Sequence, residues 1–142
     1  MTSFRIDKPS VVDFEKPVNF TFDGRSYRGF AGDTVASALL ANGVYLFGRS
    51  FKYHLPRGVM GAHVEEANAL ITIGRGAHAE PNLQATTIPV TEGMEVFSQN
   101  RWPSLKLDLL SINQLAAPLL SAGFYYKTFM GPTKRSWMFY EP

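Results

Sequence analysis

Val18-Asn19-Phe20-Thr21-Phe22 alternates apolar and polar residues, the period of a strand with one buried face. Asp23-Gly24 supplies a tight turn, and Ser26 to Phe30 returns as a second strand, so the opening of the chain predicts a hairpin. Asp33 then offers an oxygen to cap a helix in which Val35, Ala38 and Leu39 fall at helical spacing, ended by Asn42-Gly43. Residues 49 to 68 lose all periodicity around Pro56, Gly58 and Gly61 and predict a long structured loop. Order returns at Ala69 to Ile73 as a strand, with Gly74 to Gly76 as a turn. Thr86 to Val90 and Met94 to Phe97 follow as extended pieces separated by Glu92-Gly93. The series predicts an α+β fold, a small mixed sheet with one packed helix, and suits a β-grasp domain.

Beyond Trp102-Pro103 the pattern changes. Ser104 is placed to cap a helix in which Leu105, Leu109, Ile112 and Leu115 or Ala116 share a face, with Pro118 at its end. Residues 102 to 142 hold eight aromatics, among them Phe124, Tyr125, Tyr126 and Phe129. A domain of about a hundred residues cannot bury them all, which predicts that this stretch docks on a neighbour, and the end at Glu141-Pro142, with no capping or charged tail, reads as a cut from something longer. The expected division is an N-terminal arm over 1–17, a domain over 18–100, and a helical, aromatic-rich linker over 101–142.

Composition narrows the function classes. Of 142 residues, 45% are hydrophobic and 18% charged, enough apolar material for a core. The net charge is only +2 and the basic residues form no block, which argues against a nucleic-acid partner. The charged N-terminus has no apolar stretch of signal-peptide type, and the longest uncharged run, Leu109 to Tyr126, is broken by polar residues, Pro118 and Gly123. A cytoplasmic chain with no membrane partner is expected. The cysteine count of zero excludes disulfides, thiolate metal sites and cysteine-ligated iron–sulfur clusters.

Three segments carry a resemblance: Phe22-Asp23-Gly24 with Gly29 to Thr34, Gly48-Arg49-Ser50-Phe51-Lys52-Tyr53-His54-Leu55-Pro56-Arg57-Gly58, and Pro89-Val90 with Gly93-Met94. Together they resemble the two-iron two-sulfur ferredoxin-like domains attached to amine and amino-acid oxidoreductases. With Val64 to Glu66, Asn68 to Leu70, Ser98 to Ser104 and Ala122 to Phe129, the chain is similar to the N-terminus of the alpha-subunit family of heterotetrameric sarcosine oxidases. In cluster-bearing relatives the resemblance implies cysteines at a four-residue then a two-residue separation and once more before Pro-Val. These fall near Gly61, Glu66 and Ala69, with Ala85 or Thr86 last, and none is a thiolate here. It further implies a complex with beta, gamma and delta subunits that uses FAD, FMN and NAD, with tetrahydrofolate as co-substrate, to demethylate sarcosine oxidatively to glycine. No cofactor site is expected in this chain, which lacks G-x-G-x-x-G.

Candidate chemistry is sparse. Arg49, Lys52 and Arg57, interleaved with Phe51 and Tyr53, suit an anionic group, but the same composition anchors loops and protein interfaces. His54 could donate to a flavin phosphate or a partner carboxylate, and a structural hydrogen bond is the stronger reading. His63 and His78 are expected at the surface, and the three histidines make no zinc motif. Glu66 alone has no partners at metal spacing and reads as a solvated or loop-ordering carboxylate. Glu65-Glu66 is a weak candidate acid–base pair, and no nucleophile motif occurs. The reading is a metal-free structural and subunit-interaction module, not catalytic alone, with contacts through Phe124, Tyr125, Tyr126 and Phe129. The alternative is an electron-transfer ferredoxin-like subunit of an amine or amino-acid dehydrogenase.

Overall fold

The computed structural model describes Arg5 and residues 11–117. The alternation around Phe20 and Phe22 produces strand β1 (Asp13–Phe22), five residues longer at its start than the pattern indicated, with both rings buried. Asp23 and Gly24 take positive φ angles of 50° and 79°, the conformation a two-residue hairpin turn requires. The chain returns as β2 (Arg25–Ala31), antiparallel to β1 with Phe22 opposite Arg25.

Helix α1 (Val35–Ala41) buries Val35, Ala36, Ala38, Leu39 and Ala41. Its N-cap is Thr34, not Asp33: Thr34 Oγ1 accepts from the Ser37 N–H and Ser37 Oγ accepts from the Thr34 N–H. Asp33 lies one residue earlier and is buried. Its oxygens accept from the Phe30 N–H, the Ser37 hydroxyl and both Nη atoms of Arg5. Gly29 of β2 lets the helix approach, since a Cβ there would sit 3.0 Å from the Ala38 Cβ. The helix ends at Asn42, with Gly43 at φ 75°, as the sequence indicated.

The stretch 49–68, read as irregular, contains a short antiparallel ribbon of β3 (Gly48–Arg49) and β4 (Pro56–Arg57), then a 3₁₀ turn at His63–Glu65. Strand β5 (Leu70–Ile73) follows as expected. The next strand is β6 (Glu80–Gln84), where the sequence indicated none. Thr86 to Val90, expected as a strand, is instead a run of turns with a single bridge between Thr34 and Pro89. Strand β7 (Glu95–Ser98) completes a sheet of order β2-β1-β7-β5-β6, in which β1 and β7 are parallel and the other pairs antiparallel. A parallel central pair needs a long crossover; α1 lies within it and packs on β2, which gives the β-grasp arrangement. Phe20, Phe22, Val35, Leu39, Phe47, Ile71 and Val96 form the core between helix and sheet.

The C-terminal segment also departs from expectation. Ser104 closes a local turn by accepting from the Leu107 N–H at 3.1 Å, and the helix begins later, at Leu109–Ala116, capped by Asp108. It is a 3₁₀ helix, with three residues per turn, so Leu109, Ile112 and Leu115 stack along one line. All three are exposed, at 51%, 65% and 81%. The aromatic positions Phe124, Tyr125, Tyr126 and Phe129 lie outside the described residues.

Candidate functional site

Two clusters flank the β3–β4 ribbon. In the first, Ser50 and Leu55 close the ribbon's end: the Ser50 N–H donates to the Leu55 carbonyl at 2.9 Å, and the Leu55 N–H to Ser50 Oγ at 3.0 Å. This closure holds His54 in the left-handed region at φ 54° and turns its ring inward. The ring meets a residue 54 positions away: His54 Nδ1 is 2.7 Å from Asp108 Oδ2. An ionised carboxylate has nothing to donate, so Nδ1–H is the donor. Asp108 Oδ1 also accepts from the Trp102 and Leu110 N–H groups at 3.0 and 3.2 Å. Burial pushes the Asp108 carboxyl up, but the Trp102 N–H, the His54 hydrogen bond and charge, and the Leu110 N–H outweigh it and hold the group below its ordinary value.

Arg49 strengthens the same clasp. Its Nε and Nη2 donate to the Leu105 carbonyl at 3.2 and 2.9 Å, and Nη1 donates to the His54 carbonyl at 3.2 Å. Arg49 and His54 are therefore brought together, pointing into their own chain. Lys52 and Arg57 do not join them: Lys52 Nζ lies 4.9 Å from the Tyr53 ring centre, and Arg57 donates to Asn68 Oδ1. Phe51 stands almost fully exposed, and His63 and His78 are exposed elsewhere.

The second cluster is Glu66. Its carboxylate is fully buried in the loop that joins β4 to β5. The Met60 and Gly61 N–H groups donate to Oε2 at 2.5 Å each, and the Asn68 and Ala69 N–H groups to Oε1 at 2.5 and 3.1 Å. Burial pushes this carboxyl up, yet the four backbone donors, Gly61 first, bring it down to about 2. Glu65 is exposed, so the two adjacent carboxylates face different surroundings and form no acid–base pair. Among the described residues, no three His, Asp or Glu side chains gather as a metal site.

Sequence reasoning missed Asp108 and the burial of Glu66. An Asp directly before Leu109-Leu110 is a usable capping signal. Glu66 has none, because its partners are all backbone.

A family model for the 2Fe-2S iron-sulfur cluster binding domain matches residues 15–101. The chain is 56% identical over all 142 residues to a sarcosine oxidase subunit alpha of Rhizobium meliloti (strain 1021), of which it spans 14%. It is 45% identical over 86 residues, 58% of this chain and 9% of the relative, to the sarcosine oxidase subunit alpha of Corynebacterium sp. (strain U-96). A solved L-proline dehydrogenase from P. horikoshii aligns with 61% of this chain and 16% of its own at 26% identity and a TM-score of 0.49.

The cluster that this family's description names does not fit these residues. Iron in such clusters is held by thiolates, and the chain has no cysteine. The one carboxylate at the implied ligand positions, Glu66, already directs both oxygens at four N–H groups, and the neighbouring Glu65 is exposed. The chain belongs to the 2Fe-2S iron-sulfur cluster binding domain family, as a cysteine-free homologue of sarcosine oxidase alpha subunits.

Proposed function

We propose that the chain is a metal-free structural and subunit-interaction module of a sarcosine oxidase alpha subunit. The 56% identity to such a subunit over the whole of this chain supports the setting. In that setting the rest of the alpha subunit and the beta, gamma and delta subunits are its neighbours. The whole complex, cytoplasmic and equipped with FAD, FMN and NAD, demethylates sarcosine to glycine with tetrahydrofolate as co-substrate. This module contributes contact, through the segment after residue 100 and its aromatics Phe124, Tyr125, Tyr126 and Phe129.

The observation that carries the reading is the line of Leu109, Ile112 and Leu115. An exposed apolar stripe at helical spacing is the usual seat for a partner surface, and the His54–Asp108 and Arg49–Leu105 contacts fix its base to the domain. Replacing both Ile112 and Leu115 with Glu in the alpha subunit should reduce co-purification of the flavin-bearing subunit at least about tenfold and leave the circular dichroism of the chain unchanged. Undiminished assembly would sink the proposal. The electron-transfer alternative makes a separate claim: anaerobic reconstitution with iron and sulfide should then give a visible charge-transfer band, which the metal-free reading forbids.

A further inference from the structure

Glu66 raises a question that the interface reading leaves open: why a loop from a cluster-binding family keeps a defined shape with no cluster to wrap. Residues 60–69 turn four backbone N–H groups toward one buried point. Successive main-chain N–H groups around a concavity form an anion site of the type that surrounds phosphates and iron–sulfur clusters. The first three positions where the resemblance implies cysteines meet at this point. Glu66 provides the carboxylate, and Gly61 and Ala69 are two of its four donors.

We infer that residues 60–69 are a backbone anion-binding nest, and that the Glu66 carboxylate is its built-in occupant, standing where the family places an anionic cluster. A thiolate-bound cluster does two things to such a loop: it gathers N–H groups around negative charge, and it ties the loop to the strand end that holds the last ligand. Here Glu66 does the first. The second is done by hydrogen bonds from the segment at the implied fourth position. Gln84 Nε2 donates to the Val64 and Glu66 carbonyls at 3.1 and 2.9 Å, Thr86 Oγ1 to the His63 carbonyl at 2.6 Å, and the Ala85 N–H to the Ala69 carbonyl at 3.0 Å. Gly61 admits the close approach, since a Cβ there would lie 3.2 Å from the Glu65 carbonyl oxygen. Because the nest offers donors only, a carboxylate, which accepts on both oxygens and has nothing to donate, fits it better than a neutral carboxyl or amide does.

The inference rests on the metal-free reading, and two arms keep them apart. In the first, Glu66→Ala empties the nest, and its urea unfolding is followed with sodium formate, the smallest carboxylate, and with formamide, its neutral counterpart. Formate at about 1 M should raise the folded-to-unfolded ratio of the variant roughly tenfold more than formamide does. The unsubstituted chain, its nest filled, should gain no such difference. Equal effects of the two additives, or an equal formate effect on the unsubstituted chain, would overturn the nest. Should the variant not fold at all, carboxyl and amide NMR of the unsubstituted chain decides. The Met60, Gly61, Asn68 and Ala69 amide protons should move together with the Glu66 carboxyl as it titrates, and independent movement would equally overturn the inference. The second arm is the iron content of the natively purified chain. About one cluster per chain would sink the metal-free reading whatever formate does.

Discussion

Glu66→Gln is the sharpest perturbation of this domain, because the substitution keeps the shape of the side chain and reverses half of its hydrogen bonding. In either orientation the amide oxygen accepts from two N–H groups, while the amide nitrogen faces two further donors, Met60 with Gly61 or Asn68 with Ala69. Each buried N–H left without an acceptor costs about 1–3 kcal/mol, and the remaining two bonds lose their charge assistance. The expected loss is about 3–5 kcal/mol at neutral pH, close to that of Glu66→Ala and large for an isosteric change. Part of it depends on pH. The carboxyl has an ordinary value of 4.5 and stands at about 2 in the folded chain. Its contribution is fully present above the unfolded value and is lost as pH falls from 4.5 toward 2. At about 1.36 kcal/mol per tenfold change in proton affinity, the pH-dependent part is about 3 kcal/mol at most. Urea unfolding of both proteins from pH 7 to pH 3 reads this directly: the gap should be widest at pH 7 and narrow below about pH 4.5. A variant within about 1 kcal/mol of the parent at pH 7, or a gap constant across that range, would refute the reasoning.

Asp108→Asn should release residues 102–110 from the ribbon and cost about 1–3 kcal/mol; faster proteolysis between 102 and 110 checks it, and an unchanged cleavage rate counts against the clasp. Because the Asp108 carboxyl sits below its ordinary value in the folded chain, this contribution too is present near neutrality and lost on acidification. Gly58→Ala should destabilise strongly, since the new Cβ would lie 2.3 Å from the Tyr45 carbonyl oxygen, and thermal unfolding measures it. Thr34→Ala should cost about 1 kcal/mol as an N-cap loss, whereas the same change at a surface threonine such as Thr91 should cost about 0.5 kcal/mol or less.

The sheet and helix were legible where local chemistry and burial agree. Phe20 and Phe22 alternate with polar neighbours because one face of β1 packs on the core, and Asp23-Gly24 marks the reversal by its own backbone preference. Strand β6 left no such trace: it is an edge strand with largely exposed residues, contains Pro81, and has Asn82 at a positive φ, so neither alternation nor propensity announces it. Thr86 to Val90 misled in the opposite direction, being mostly β-branched residues used in turns. Asp33 and Ser104 were plausible caps one and four residues from the real ones, Thr34 and Asp108, because capping chemistry alone does not decide between neighbouring oxygens. For the candidate site, Arg49 and His54 stood out as polar residues in a structured loop, but their partners Leu105 and Asp108 lie 56 and 54 positions away and depend on the tertiary fold.

Four acidic residues, Asp23, Asp33, Glu66 and Asp108, spend their lone pairs on anchoring the chain to itself. A general base needs a free lone pair within reach of substrate. Asp23 accepts from the Ser98 N–H and hydroxyl and from Arg101. Asp33 accepts from Arg5, Phe30 and Ser37, and Asp108 from His54, Trp102 and Leu110. Glu66 accepts from four N–H groups. In each case the carboxylate fastens a turn or loop to a distant or neighbouring segment, and its oxygens point at those donors. Abstracting a proton with any of them would first require breaking bonds that hold the loop in place. If the Leu109, Ile112 and Leu115 stripe docks a partner as proposed, this anchoring gives it a pre-ordered base, so binding does not have to order the loops beneath it.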